Sequence, residues 1–127
     1  MQTEQLLNTI IQPVCSETSV RSFTQAYSLT AAVGASKKGQ LEFVTDKSLF
    51  IEVNGMEACD GFTADALLKA LHTEAITRQI WQIRWRIDKK DLTEFSPTLR
   101  AHGYQLTEGN MARWKNPSFN RDIAMGI

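Results

Sequence analysis

"CDGFTADALLKALHTEAITRQIWQIRWRI", residues 59–87, carries two hydrophobic periods in one stretch of chain. From Thr63 to Thr77 apolar residues return every three or four positions, and Leu67, Leu68, Leu71 and Ala75 form one stripe. That spacing predicts an amphipathic helix with Thr63 as its N-cap. From Trp81 to Ile87 the period falls to two. Trp81, Ile83, Trp85 and Ile87 alternate with Gln82, Arg84 and Arg86, which predicts a strand with one apolar and one polar face. A helix followed by such a strand is half of a right-handed crossover, provided that a parallel neighbour precedes it.

The preceding segment supplies that neighbour. "SLTAAVGA" (28–35), "QLEFVTD" (40–46) and "SLFIEVNG" (48–55) alternate as strands, with "SKKG" (36–39) and "DK" (46–47) as turn signals. Connections this short require an antiparallel meander. The Ile80–Ile87 strand is then expected to lie parallel to the Leu49–Val53 strand. At the other end, "DLTEFSPTLRAH" (91–102) reads as a helix kinked or divided by Pro97 and closed by Gly103. "YQLT", "EGN" and "MARWK" follow as a hairpin, and residues 118–127 as a loose or partner-docked tail.

Upstream, Leu6, Leu7, Ile10, Ile11 and Val14 fall at helical spacing, with Thr3 as a cap and Pro13 near the end. Residues 16–27 fit either a short helix or a loop. The expected order is α-(α)-β-β-β-α-β-α-β-β, a single α/β (α+β) domain over residues 1–127 with helices on a mixed sheet.

Composition narrows the class of function. The chain has 127 residues, the length of one domain, with 14 basic and 14 acidic side chains. A balanced charge provides no net field toward nucleic acid or membrane. Cys15 and Cys59 form no CxxC pair, and His72 and His102 lack the neighbours of a zinc site. The N-terminus has no basic start before an apolar run, and no stretch reaches the ~20 apolar residues that cross a bilayer. A cytoplasmic protein without metal is the expectation. Ser96 lacks a GxSxG context, so a hydrolase triad has no support.

The order of elements resembles the GNAT superfamily of acyl-CoA-dependent N-acyltransferases. "ALLKALHTEAITRQIWQIRWRI" is similar to that family's cofactor helix and next strand, and "LRAHGYQLTEGNMARWKNP" to its last helix and hairpin. The likeness spans residues 28–117, with the family's N-terminal strand not legible. It implies acetyl-CoA as cofactor, held by a turn of pattern Gln/Arg-x-x-Gly-x-Gly/Ala. Here Cys59, Phe62 and Ala64 take the three positions, and only Ala64 fits. A pyrophosphate needs open backbone N–H groups and close approach; Gly61 and Thr63 allow some of this, whereas Phe62 obstructs it. Glu57, Asp60 and Asp65 add carboxylates without a cation. The family's acid, often a Tyr four residues before the final Gly, is Leu99 here. Its base implies Glu52, which alternates with Ile51 and Val53 as an exposed strand residue would.

No cofactor is therefore expected, with acetyl-CoA reserved for the enzyme alternative. Arg84 and Arg86 stand side by side on the polar face of their strand. They either pair with carboxylates across the sheet or meet an acidic protein partner. Nucleic acid is disfavoured, because the tryptophans of "WQIRWR" alternate onto the other face. A domain that binds a protein partner or a second copy of itself is the resulting expectation.

Overall fold

Four residue pairs hold the two halves of the sheet together. The structure, a computed structural model, describes residues 7–14, 25–45, 49–107 and 109–119. Its strands are β1 (Leu7–Val14), β2 (Gln25–Val33), β3 (Ser36–Thr45), β4 (Phe50–Ala58), β5 (Gln82–Arg86), β6 (Gln105–Thr107) and β7 (Met111–Lys115). They form one sheet in the order β1-β2-β3-β4-β5-β7-β6. The first four are an antiparallel meander, and β5, β7 and β6 are antiparallel too. The link is parallel: Phe50–Val53 of β4 pairs with Gln82–Trp85 of β5, as the crossover reading requires.

Two helices cover one face. α1 (Gly61–Thr77) lays Leu67, Leu68, Leu71 and Ala75 on a core with Leu29, Leu41, Phe43, Ile51 and Val53. α2 (Lys89–Ala101) sets Phe95 against Trp85, which pairs with Val53, so both helices share that face. Full burial of a Leu, Ile or Phe side chain stabilises by roughly 1.5–3 kcal/mol, and this seam is where the burial concentrates. The helix caps itself with Asp60, not Thr63: the Asp60 carboxylate accepts from the Thr63 N–H at 2.8 Å, and Thr63 is buried.

The expected N-terminal helix is a strand. Leu7 and Ile11 pack on the core, whereas Ile10 is 54% exposed on the opposite face. A spacing of four satisfies a helix and, being even, a strand as well; Thr9, Ile10 and Ile11 are β-branched, and Pro13 is tolerated on an edge strand. β1 thus supplies the N-terminal strand that the sequence left unread. Thr3 and Leu6 lie outside the described residues, as do 16–24 of the helix-or-loop segment, whose last residues belong to β2. "SKKG" is no hairpin tip either. The turn is Gly34–Ala35, with Gly34 at φ +59, and Lys38 is the extra residue of a bulge in β3. Pro97 does not divide α2, which runs through it; only one backbone donor is lost there. Of the tail, Ser118 and Phe119 are described, and the Asn116 carboxamide draws them in by accepting from the Ser118 N–H at 2.8 Å.

A polar cluster fastens α1 to the end of α2. The Asp65 carboxylate meets His102 Nε2 at 2.5 Å, and His72 Nε2 meets the Tyr104 hydroxyl at 2.9 Å. His72 also stacks on Trp114, with ring centroids 4.2 Å apart. These partners lie 37 and 32 residues apart, and no local pattern joins them. The hydrogen bond from His102 holds Asp65 below the usual carboxylate range. Burial, and then the neighbouring His102, push His72 from 6.5 down to about 4.

Two measurements test this packing. A Cβ on Gly39 would stand 2.7 Å from the Glu57 carbonyl oxygen and 2.8 Å from the Thr63 methyl. Gly39→Ala should therefore destabilise by about 1–3 kcal/mol in urea unfolding, as overpacking does. An unchanged midpoint would deny the close seating of α1 on β3. His72 gives the second test. The folded state takes up its proton only near pH 4, whereas the unfolded chain does so near 6.5. More protons are bound by the unfolded state between those values, so stability falls as pH drops through that window. The loss should be on the order of 3 kcal/mol by pH 4, and His72→Gln should flatten it.

Candidate functional site

The parallel pairing stops at Val53, and a bulge stops it. Glu42 pairs with Gly55 and Phe43 with Val53, leaving Asn54 as the extra residue in β4. Burial changes phase there: Ile51 and Val53 face the core before the bulge, Met56 after it. The strand bends, as bulged strands do, and Asn54–Ala58 continues without a strand partner on the β5 side among the described residues. Between this edge and the first turns of α2 opens a cleft of ≈ 510 Å³, lined by Glu42, Met56, Glu57, Lys90, Glu94 and Phe95 among others.

The far end of β4 leads directly to the start of α1, where the family's resemblance places a pyrophosphate. The residues there do not fit one. Asp60 already occupies the helix N-terminus with its carboxylate, held below its usual range by the Thr63 hydrogen bonds. Phe62 is 72% exposed at the second position of α1. Ala64 is buried, and its N–H is taken by the Asp60 carbonyl at 3.1 Å. Thr63 is likewise engaged, and Gly61 alone leaves open space. The free β4 edge could accept the extended arm of acetyl-CoA. Its phosphates would meet Asp60 and Glu57, and the Thr63 N–H is already taken by the Asp60 carboxylate. A carboxylate ~4 Å from a phosphate costs about 1–4 kcal/mol per unit charge at effective dielectrics of 80 to 20.

The sequence-derived residues Glu52, Arg84 and Arg86 lie elsewhere, on the sheet face that neither helix covers. They line a smaller depression of ≈ 270 Å³ with Asn54 and Met111. Glu52 is the register partner of Arg84 across the parallel pair, yet no ion pair joins them. Among the described residues, neither arginine meets a carboxylate, so the cross-sheet pairing is not made. The Arg84 guanidinium instead lies 3.9 Å from the Phe50 ring centroid, and its Nε is buried without a hydrogen-bond partner. Arg113 of β7 stands directly opposite Arg84. Trp81 corrects the alternation. It precedes β5, is exposed, and its ring lies 5.6 Å from Phe50 rather than beside Trp85. Ladder pairing in β5 begins only at Gln82; the Trp81 backbone is hydrogen-bonded to Leu49 and Asn116, yet its side chain lies exposed. Leu99 is buried, and Tyr104 is buried against His72; neither reaches the cleft.

What sequence reasoning missed is Asn54. A bulge leaves no local mark beyond "VNG", which also reads as a strand end. Arg113 and Lys115 were missed for another reason: only the β5–β7 register brings them beside Arg84 and Gln82.

No protein-family model matches the chain, and no curated protein matches it by sequence. Solved structures do match. The ribosomal-protein-S18-alanine N-acetyltransferase of Escherichia coli aligns with 91% of this chain and 98% of its own, at a TM-score of 0.60 and 7% identity. A GNAT-family acetyltransferase of Staphylococcus aureus Mu50 aligns over 76% and 70%, at 0.58 and 11%. An aminoglycoside 6'-acetyltransferase type Ii aligns over 72% and 69%, at 0.56 and 13%. Identities so low carry the architecture alone, and with the meander, the bulged parallel pair and the closing hairpin they give this chain a divergent GNAT fold.

Proposed function

We propose that this chain is a non-catalytic binding domain built on the GNAT fold, and that the sheet face which neither described helix covers takes an acidic protein surface. The partner is another protein or a second copy of the chain. What carries the reading is Arg84: its Nε is buried without an acceptor, and of its two cross-strand neighbours Arg113 is a like charge and Glu52 forms no ion pair with it. An unpaired buried donor costs roughly 1–3 kcal/mol, more for a charged group. Like charges opposite one another in a sheet add to that. A partner carboxylate would relieve both. Arg86, Arg113 and Lys115 extend the same cationic strip along β5 and β7. Parallel strands are ordinarily covered on both faces, and among the described residues helices cover this pair on one. No helix among the described residues is long and apolar enough to cross a membrane, so a lipid-spanning role for these helices has no support.

A second reading is a divergent acetyltransferase. It is favoured by the bulge and the splayed edge of β4, which keep room for an extended cofactor arm, and by the acetyltransferase names of the structural neighbours. Glu52 would then be its base, although it lines the depression beside Arg84 and not the cleft.

Calorimetry with acetyl-CoA separates the two. The binding-domain reading expects a Kd weaker than ~1 mM, less than about 4 kcal/mol. Micromolar binding that is lost in Ala64→Asp would establish the enzyme reading instead. For the face itself, Arg84→Glu together with Arg86→Glu should abolish association, measured by light-scattering mass and by titration with poly-glutamate. The melting temperature should stay nearly constant. A lower melting temperature with association intact would make the arginines internal structural members and end the proposal.

A further inference from the structure

The charges around the free edge of β4 oppose the ligand that the fold implies. Glu57 on the strand, Glu42 on β3, and Asp91 and Glu94 on α2 line the cleft, against Lys90 alone. Among the described residues, none of the four forms an ion pair, and Glu42 takes only a hydrogen bond from the Gln40 amide at 2.9 Å. Nor do they converge. No group of three or more His, Cys, Asp or Glu among the described residues could hold a metal ion. Carboxylates spread along a groove suit several cations on one chain better than one cation at a point.

The second feature is independent of charge. The backbone groups of Asn54–Ala58 on the β5 side have no strand partner among the described residues, and an edge of this kind accepts an added strand. The bulge at Asn54 keeps β5 from closing it. Met56 and Phe95, both buried, supply an apolar lining beneath.

We infer that the cleft binds an extended, cationic polypeptide segment, which adds to β4 as a strand over Asn54–Ala58. Successive side chains of a strand point to opposite faces. Lys or Arg on one side of the added strand would therefore meet Glu57 and Glu42, and apolar residues on the other would lie over Met56 and Phe95, with Asp91 and Glu94 of α2 at that rim. The site is separate from the cationic strip of β5 and β7, and goes beyond the function proposed for it. Either can fail without the other.

The test uses the full chain and three short labelled peptides, read by fluorescence anisotropy. One alternates Lys with Val, one alternates Glu with Val, and one is the Lys peptide N-methylated at alternate amides. The Lys peptide should bind and the Glu peptide should not. N-methylation should weaken binding about tenfold or more, because main-chain hydrogen bonds carry affinity in strand addition. Glu57→Lys with Glu94→Lys should weaken it comparably and leave the melting temperature in place. If that variant unfolds, Glu57→Gln with Glu94→Gln is the milder replacement, and it should still weaken binding several-fold. The inference is overturned if the Lys peptide does not bind, if the N-methylated peptide binds equally, or if the Gln variant binds unchanged.

Discussion

The cleft of this molecule follows from one extra residue in β4. Asn54 breaks the pairing of a strand that would otherwise run its full length beside β5. Four paired residues are enough to join the halves of the sheet, because Ile51, Val53, Ile83 and Trp85 bury together there under both helices. Beyond them the backbone is left with unpaired donors and acceptors at an edge. Such an edge inside a domain is costly unless water or a ligand satisfies it. The fold therefore opens a cleft where the bulge is.

Chemistry is where this chain departs from the pattern it resembles. A cofactor rich in phosphate calls for open N–H groups at a helix start and a neutral or basic surround. Here the helix start is capped by its own Asp60, with the exposed Phe62 beside it and Glu57 just before it. Cations gather instead on the face that the helices leave bare, where Arg84, Arg86, Arg113 and Lys115 adjoin through the β5–β7 register. A chain with 14 charges of each sign is neutral only in sum. The basic residues of β5 and β7 and the acidic ones of the cleft are grouped by strand register, which composition could not reveal.

How the helices are fixed shows a similar division. α1 is specified locally by its stripe of leucines, and α2 by its apolar spacing despite Pro97. Their mutual position depends on contacts far apart in sequence: Asp65 with His102, His72 with Tyr104 and Trp114. Single histidines among ordinary neighbours give no sign of such a cluster. Burial then keeps His72 neutral at pH 7 through desolvation.

The sequence by itself determined the elements whose period is unambiguous and the crossover that they compel. Leu67 to Ala75 can only be one helical stripe, Ile83 to Ile87 only an alternating strand, and short connections only a meander. From these the mixed sheet and the parallel β4–β5 pair follow. It misread β1, because a spacing of four serves helix and strand alike, and it placed the hairpin tip at "SKKG" when Gly39 was needed for close approach to Thr63. Only the tertiary structure decided the bulge, the free edge, the acid-lined cleft and the opposition of Arg84 to Arg113. Each of these is a relation between strands, set by register and by which backbone groups are left unpaired. Periodicity along one segment holds no information about either.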